Sequence, residues 1–135
     1  MNVRNVSLIV AFLIGLLATP NAASAQQWAA VDAHTSGTGP VVSAASKDDA
    51  RAAAVAACRR VSKTCSGMPA SAELQNSQDY VFAYMCCMRP HLGCAISAAT
   101  TKPQAAASAI KVGTDAGLEA CAVRKYLSAK TGKAI

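Results

Sequence analysis

The chain has 135 residues, 31 of them alanine, with a formal net charge of +6, six cysteines and only 4% aromatic residues. This length supports one domain and excludes a large multidomain enzyme, while the composition excludes a collagen-like repeat and an acidic disordered tail. Only 23 large apolar residues lie beyond residue 25, so small-residue packing and covalent cross-links must help to hold the fold.

The first 25 residues have the pattern of a secretory signal peptide. Arg4 supplies a positive charge, residues 8–17 are almost entirely apolar, Pro20 interrupts the run, and small residues lead up to Ala25. About 10 to 12 strongly apolar residues are too few for a membrane-spanning helix, which needs about 20. We therefore predict cleavage near Ala25 and a single mature domain over residues 26–135. This domain is periplasmic or secreted and is not an integral membrane protein.

The first half of the mature chain predicts a hairpin followed by a helix. Residues 28–34 and 41–43 have strand character and flank a turn that is rich in glycine. Ser46 is placed to cap a helix that runs to about Arg60, with Asp49 at its third position. The predicted small face of this helix consists of Ala50, Ala53, Ala54, Ala57, Cys58 and Val61.

The second half predicts a loop, a hairpin and a second helix. Residues 64–79 are turn-like, with a helical turn around 70–74 as an alternative, and residues 80–88 have the content of a central strand. A turn and a strand over 94–99 follow, and then a short strand at 105–107. We expect Ser108 to cap a helix that reaches about Ser128, although its two glycines each cost about 1 kcal/mol relative to alanine.

The two predicted helices contain a matching pattern. Ala50, Ala54, Val55 and Cys58 recur at identical spacing as Gly113, Gly117, Leu118 and Cys121, which predicts hairpin-helix repeats at about 28–65 and 80–128.

The repeated spacing, taken together with segments 28–32 and 93–96, resembles that of a family of small exported bacterial domains of unknown function. Each of the family's two hairpin-helix repeats has an Ala-Leu-x-x-Cys-like signature in its helix. The resemblance implies an exported α+β domain with no established catalytic residues. We therefore expect a small disulfide-bonded α+β domain in which two repeat-related helices pack on an antiparallel sheet of about four to five strands.

All the cysteines lie in the predicted exported part of the chain: Cys58, Cys65, Cys86, Cys87, Cys94 and Cys121. An even number of cysteines in a short exported domain predicts disulfides formed in an oxidising compartment, and the sequence leaves their pairing open. A zinc site is disfavoured because no second pair of ligands follows at the spacing of a zinc finger.

The segment over residues 85–88 suggests a metal site as an alternative. Met85, Cys86, Cys87 and Met88, followed by His91, offer the soft ligands that suit Cu(I). Strand geometry argues against this site, because alternation places neighbouring side chains on opposite faces. We therefore favour no metal and no other cofactor, and we expect the two adjacent cysteines to meet different partners.

No catalytic motif is visible in the sequence. His34 and His91 lie in turn-like segments, and neither accompanies a recognisable nucleophile motif. The sequence lacks a phosphate-binding glycine loop, a nucleophile elbow and a zinc-protease helix. We therefore predict a protein that is not an enzyme, with a minor hydrolase using His91 as the alternative from that class.

Basic and aromatic residues suggest a binding surface instead. Positive charges follow both helix cysteines, at Arg59, Arg60 and Lys63 and at Arg124, Lys125, Lys130 and Lys133. The helix dipole favours cations at helix ends without any ligand, and a basic surface also attracts acidic partners. Aromatic candidates for the same surface are Trp28, Tyr80, Phe82 and Tyr84.

The sequence thus predicts a non-enzymatic, exported binding module with a basic surface. Its predicted partner is an unknown protein or an anionic component of the cell envelope. Nucleic acid is disfavoured because export removes that target and because aromatic residues are not interleaved with the basic ones. Inhibition of a secreted or periplasmic enzyme is the alternative within binding, since small rigid domains are preorganised for it. Periplasmic copper binding is the other alternative.

Overall fold

A computed structural model describes residues 27–135, and the predicted signal peptide lies outside them. These residues form eight strands and two helices: β1 (Trp28–Val31), β2 (Ala33–His34), β3 (Gly37–Thr38), β4 (Val42–Ala44), α1 (Lys47–Val61), β5 (Ala70–Glu73), β6 (Val81–Arg89), β7 (Gly93–Ala99), α2 (Lys102–Asp115) and β8 (Glu119–Ser128). The predicted α+β class is confirmed. Neither helix in residues 27–135 is long and apolar enough to cross a membrane.

The strands form two three-stranded antiparallel sheets and one short two-stranded ladder. The sheet orders are β4-β1-β5 and β7-β6-β8, and the ladder joins β2 to β3. In each sheet the central strand comes first in the chain, its hairpin partner second, and the strand after the helix third. The two sheets therefore have the same connectivity, in place of the single sheet of four to five strands that we expected.

The two sheets face each other across a central core. Phe82 and Tyr84 of β6 point into this core, where residues of β1 and β5 from the other sheet also lie. Their neighbours Ala83 and Met85 point the opposite way, toward α2. On the outer side of the first sheet, buried alanines of α1 contact Ala30 of β1. The layers therefore follow the order α1, first sheet, second sheet, α2.

Helix α1 begins and packs as the sequence predicts. The Oγ of Ser46 accepts a hydrogen bond from the backbone N–H of Asp49 at 3.1 Å and so caps the first turn. The residues of α1 buried against the first sheet are Ala50, Ala54, Ala57 and Cys58. Val61 was predicted to belong to the same face, but it is 62% exposed because the helix ends there.

Helix α2 lies earlier in the chain than predicted. Its cap is Thr101, whose Oγ1 accepts from the N–H of Gln104 at 3.3 Å, and not Ser108. Residues 105–107 are therefore helical and do not form a strand. The helix ends before Gly117, which has a φ of +79° that side-chain-bearing residues rarely adopt. Residues 119–128, predicted as helix, form strand β8.

Two further expectations are wrong. Residues 70–73, predicted to lie in a loop or a helical turn, form β5, which pairs with β1 and completes the first sheet. The proposed alignment of the two helices also fails, because Cys58 lies in α1 whereas Cys121 lies in β8. The signature at residues 113–121 therefore spans the end of a helix and the start of a strand.

Candidate functional site

Every cysteine takes part in a disulfide, and the pairs are Cys58–Cys65, Cys86–Cys94 and Cys87–Cys121. The predicted disulfide framework is confirmed, and such cross-links are typical of oxidising compartments outside the cytoplasm. The adjacent cysteines of the central strand β6 bond in opposite directions, Cys86 to β7 and Cys87 to β8. Because neighbouring residues of β6 point to opposite faces, these two disulfides cross-link the second sheet on both of its faces. The expectation that the adjacent cysteines meet different partners is therefore confirmed.

This arrangement contradicts the copper-binding alternative at Met85, Cys86, Cys87, Met88 and His91. Sulfurs in disulfides are not thiolates, so neither cysteine offers the ligand that this site needs. Met85 is fully buried under α2, whereas Met88 is 53% exposed near the tip of the hairpin. The segment therefore has a structural role in the second sheet.

Asp32 is the one fully buried acidic residue in residues 27–135. Its carboxylate accepts from the N–H of Ala33 at 2.8 Å, from the N–H of Gly67 at 3.0 Å and from the hydroxyl of Ser66. Its oxygens also lie near Cys58 and Cys65, but those sulfurs are joined in a disulfide. Asp32 therefore holds the segment after α1 in place. This residue was not singled out from the sequence, although its position directly after the apolar strand β1 could have indicated a buried carboxylate.

The aromatic candidates separate into two groups. Phe82 is fully buried and Tyr84 is 4% exposed, so their prediction as surface residues is wrong. They belong to the core because β6 is the central strand and its even-numbered residues point toward the first sheet. Trp28 and Tyr80 remain partly exposed. The ring of Trp28 makes a cation–π contact within the protein, since Lys47 Nζ lies 5.7 Å from its centroid.

The hydroxyl of Tyr84 is the most perturbed titratable group. It donates to the backbone carbonyl of His34 at 2.8 Å and lies near the Cys86–Cys94 disulfide. Burial raises the pKa of Tyr84, while the positive charge of Arg124 and a backbone hydrogen bond from Gly37 oppose the increase. This hydroxyl therefore joins the β2–β3 ladder to the central core and stays protonated.

The two histidines differ in their surroundings. His34 Nδ1 accepts from the N–H of Ser36 at 3.2 Å, and His91 is exposed in the turn between β6 and β7. In the described part of the chain, neither imidazole has a hydrogen bond to a carboxylate, a hydroxyl or a sulfur. The hydrolase considered for His91 therefore stays an untested alternative.

The basic candidates occupy two different settings. Arg59 and Arg60 are exposed in the last turn of α1, where the helix dipole favours a positive charge. Arg124 and Lys125 are also exposed, but they lie on β8 and not at the end of a helix. The last turn of α2 contains no basic residue. The idea of matching helix ends is therefore wrong, and the dipole does not account for the charges on β8.

An apolar cavity of about 150 Å³ opens between α2 and β7. Its lining is formed by Met68, Met85, Gly93, Cys94, Ala95, Val112, Gly113, Ala116 and Leu118. Met68 and Val112 are 61% and 36% exposed and belong to its rim. The lining comes from four separate parts of the chain and contains no charged side chain, so no local motif in the sequence indicated it.

Comparisons with protein-family models, with curated proteins and with solved structures find no match to this chain. The resemblance to exported two-repeat domains therefore stays a prediction.

Proposed function

We propose that this chain is an exported, non-enzymatic binding module that holds a protein partner through the cavity between α2 and β7. The observation that carries the proposal is the cavity itself, which is apolar, open to solvent and bordered by the exposed side chains of Met68 and Val112. Binding sites in proteins are typically concave and lined mostly by apolar side chains, as this cavity is. The predicted signal peptide would deliver the module to the compartment in which its disulfides form.

The size of the cavity favours a single side chain over a small-molecule ligand. Pockets for drug-sized ligands measure about 300 to 1,000 Å³, whereas an engineered apolar cavity of about 150 Å³ binds benzene. The present cavity, at about 150 Å³, therefore suits one side chain of the size of leucine or phenylalanine. Buried anchors of this size contribute much of the affinity in protein interfaces.

The charge of the chain favours an acidic partner. The formal net charge is +6, and Arg59 and Arg60 are exposed at the end of α1. The Cys58–Cys65 disulfide ties this end of the helix to the segment that continues to Met68 on the rim of the cavity. Two copies of the chain would repel each other, so acidic residues around one apolar anchor are the more favourable complement.

A pair of matched substitutions tests this proposal. Ala116→Leu fills the mouth of the cavity from an exposed position at the end of α2. Ala107→Leu adds the same side chain at an exposed position of the same helix outside the cavity. In crosslinked affinity capture from the host envelope, we expect Ala116→Leu to reduce the retained partner by at least about tenfold, since a central anchor contributes about 2 kcal/mol or more. Equal capture by both variants would refute the cavity as the binding site.

A second measurement needs no partner. Benzene in the buffer should shift the methyl carbon resonances of Met68 and Met85 in the wild type and in Ala107→Leu, but not in Ala116→Leu. Unchanged methyl resonances in the wild type would show that the cavity does not admit a six-carbon group. Charge reversal at Arg59 and Arg60 separately tests the basic surface, since undiminished capture would exclude any contribution from it.

A further inference from the structure

The outer edge of β8 already forms one isolated bridge with residues near the end of the chain, between Leu127 and Ala134. On one side β8 pairs with β6, and on the other side the last residues of the chain fold back along it. Ser128 N–H donates to the carbonyl of Lys133 at 2.9 Å, and Ile135 N–H donates to the carbonyl of Tyr126 at 3.1 Å. Within residues 27–135, no strand pairs with this outer edge between residue 119 and Tyr126.

The open part of the edge presents backbone groups for pairing. Cys121 lies opposite Cys87 of β6, and their Cα atoms are only 3.8 Å apart. Such a short separation is typical of a non-hydrogen-bonded pair, in which the N–H and C=O groups point away from the partner strand. The backbone of Cys121 is therefore directed toward solvent. Ala122 and the two basic residues that follow Val123 are exposed.

The charges on this edge select the kind of strand that can be added. The pairing of β8 with β6 shifts between Tyr84 and Met85, which leaves Arg124 as an extra residue in a bulge next to Lys125. Lysines on an edge strand oppose its pairing with a second copy of the same chain, because that copy carries the same positive charges. The same two positive charges attract a strand that carries carboxylates.

We propose that the outer edge of β8, over residues 121–125, adds an extended acidic segment of a protein partner as a further strand. The added strand would extend the pairing that the Leu127–Ala134 bridge begins on the same edge. Backbone hydrogen bonds supply affinity in this mode of recognition, and alternate side chains supply specificity. This site does not depend on the cavity, because the cavity lies on the β7 side of the same sheet.

The probe is a peptide of about eight residues that alternates glutamate with valine, because its length is within the range of strands, valine favours extended structure and glutamate supplies the negative charge. We expect it to bind the wild type and to slow hydrogen exchange at the backbone amides of residues 121–125. A peptide that alternates glutamate with proline has the same charge but lacks half of the backbone donors. A peptide that alternates lysine with valine has the opposite charge. Each control should bind at least about tenfold more weakly.

Two charge-reversed variants complete the test. The change R124E/K125E should transfer the preference to the lysine-valine peptide, whereas K47E/K111E changes the net charge equally and should leave the preference unaltered. All four positions are exposed, so both variants should fold, and far-UV circular dichroism checks this. The proposal is overturned if the glutamate-valine peptide does not bind, if it binds without protecting residues 121–125, or if the glutamate-proline peptide binds equally well. A loss of binding in K47E/K111E that matches the loss in R124E/K125E would also overturn it.

Discussion

Replacing Gly113 by alanine tests how closely α2 packs on the second sheet. A Cβ atom at this position would lie 2.5 Å from Cys87 Sγ, 3.0 Å from Met85 Cε and 3.1 Å from Cys121 Sγ. The nearest of these atoms belongs to a disulfide and has little freedom to move. We therefore expect the substitution to push the helix away from β6 and β8.

Two effects of opposite sign compete in this substitution. Alanine in place of glycine inside a helix stabilises a protein by about 1 kcal/mol. Overpacking a well-packed core costs about 1 to 3 kcal/mol and occasionally more. Because the clash with Cys87 is well inside van der Waals contact, we take the upper part of this range and expect a net loss of about 1 to 2 kcal/mol.

Urea denaturation followed by far-UV circular dichroism measures this loss as a lower midpoint at an unchanged slope. If Gly113→Ala were as stable as the wild type or more stable, helix propensity would have prevailed and the close packing would be refuted. The same substitution in a background where both Cys87 and Cys121 are alanine removes the clashing sulfurs. There it should be neutral or stabilising, and an unchanged loss would show that the disulfide is not the obstacle.

Three further predictions follow from the cross-links and the buried polar groups. Removing the Cys87–Cys121 disulfide, with a sequence separation of 34, should destabilise the fold by about 4 kcal/mol, against about 2 kcal/mol for Cys58–Cys65, with a separation of 7. Equal decreases in the urea midpoint after removal of either disulfide would contradict this argument from chain entropy. Asp32→Ala leaves buried N–H groups without an acceptor and should cost about 3 kcal/mol, whereas the exposed Asp48→Ala should cost less than about 1 kcal/mol. Similar losses for the two would rule out an anchoring role for the buried carboxylate. Because the pKa of Tyr84 is raised in the folded state, its contribution to stability should be complete below about pH 10 and be lost above it, where the unfolded chain loses this proton first. Urea midpoints between pH 8 and 11 should show a smaller fall in Tyr84→Phe, and an identical fall would exclude this residue as its cause.

The elements that could be predicted from the sequence are those whose local signals agree with one another. Ser46, the acidic first turn and the alanine run all indicate α1, and the aromatic and β-branched residues of 81–89 indicate the central strand. The cap of α2 was also readable, because Thr101 precedes Pro103 and Gln104 in the pattern of a capping box. Ser108 offered a second possible cap within the same alanine-rich segment, and we predicted it in place of Thr101.

Strand β8 and the cavity could not be predicted for a different reason. The bulge at Arg124 interrupts the alternation of β8, so that Cys121 and Val123 fall out of step with Leu127, and the period of two is lost. The cavity brings Met68 to α2 and β7 across long sequence separations. The pairing of Cys86 with Cys94 and of Cys87 with Cys121 likewise depends on strand register, which no local pattern in the sequence indicates.

The small residues that close the helix-sheet layers also restrict where a partner can bind. Ala30, Ala50 and Ala54 are fully buried where α1 meets the first sheet, and Gly113 leaves no room for even one methyl group where α2 meets the second. At these contact points the layers are too close to admit a ligand without separating, and open space remains only beside them, as in the cavity next to Gly113. Binding surfaces are therefore confined to places where the layers end. The open cavity at the end of α2 and the outer edge of β8 are both such places, and neither requires the cross-linked core to move.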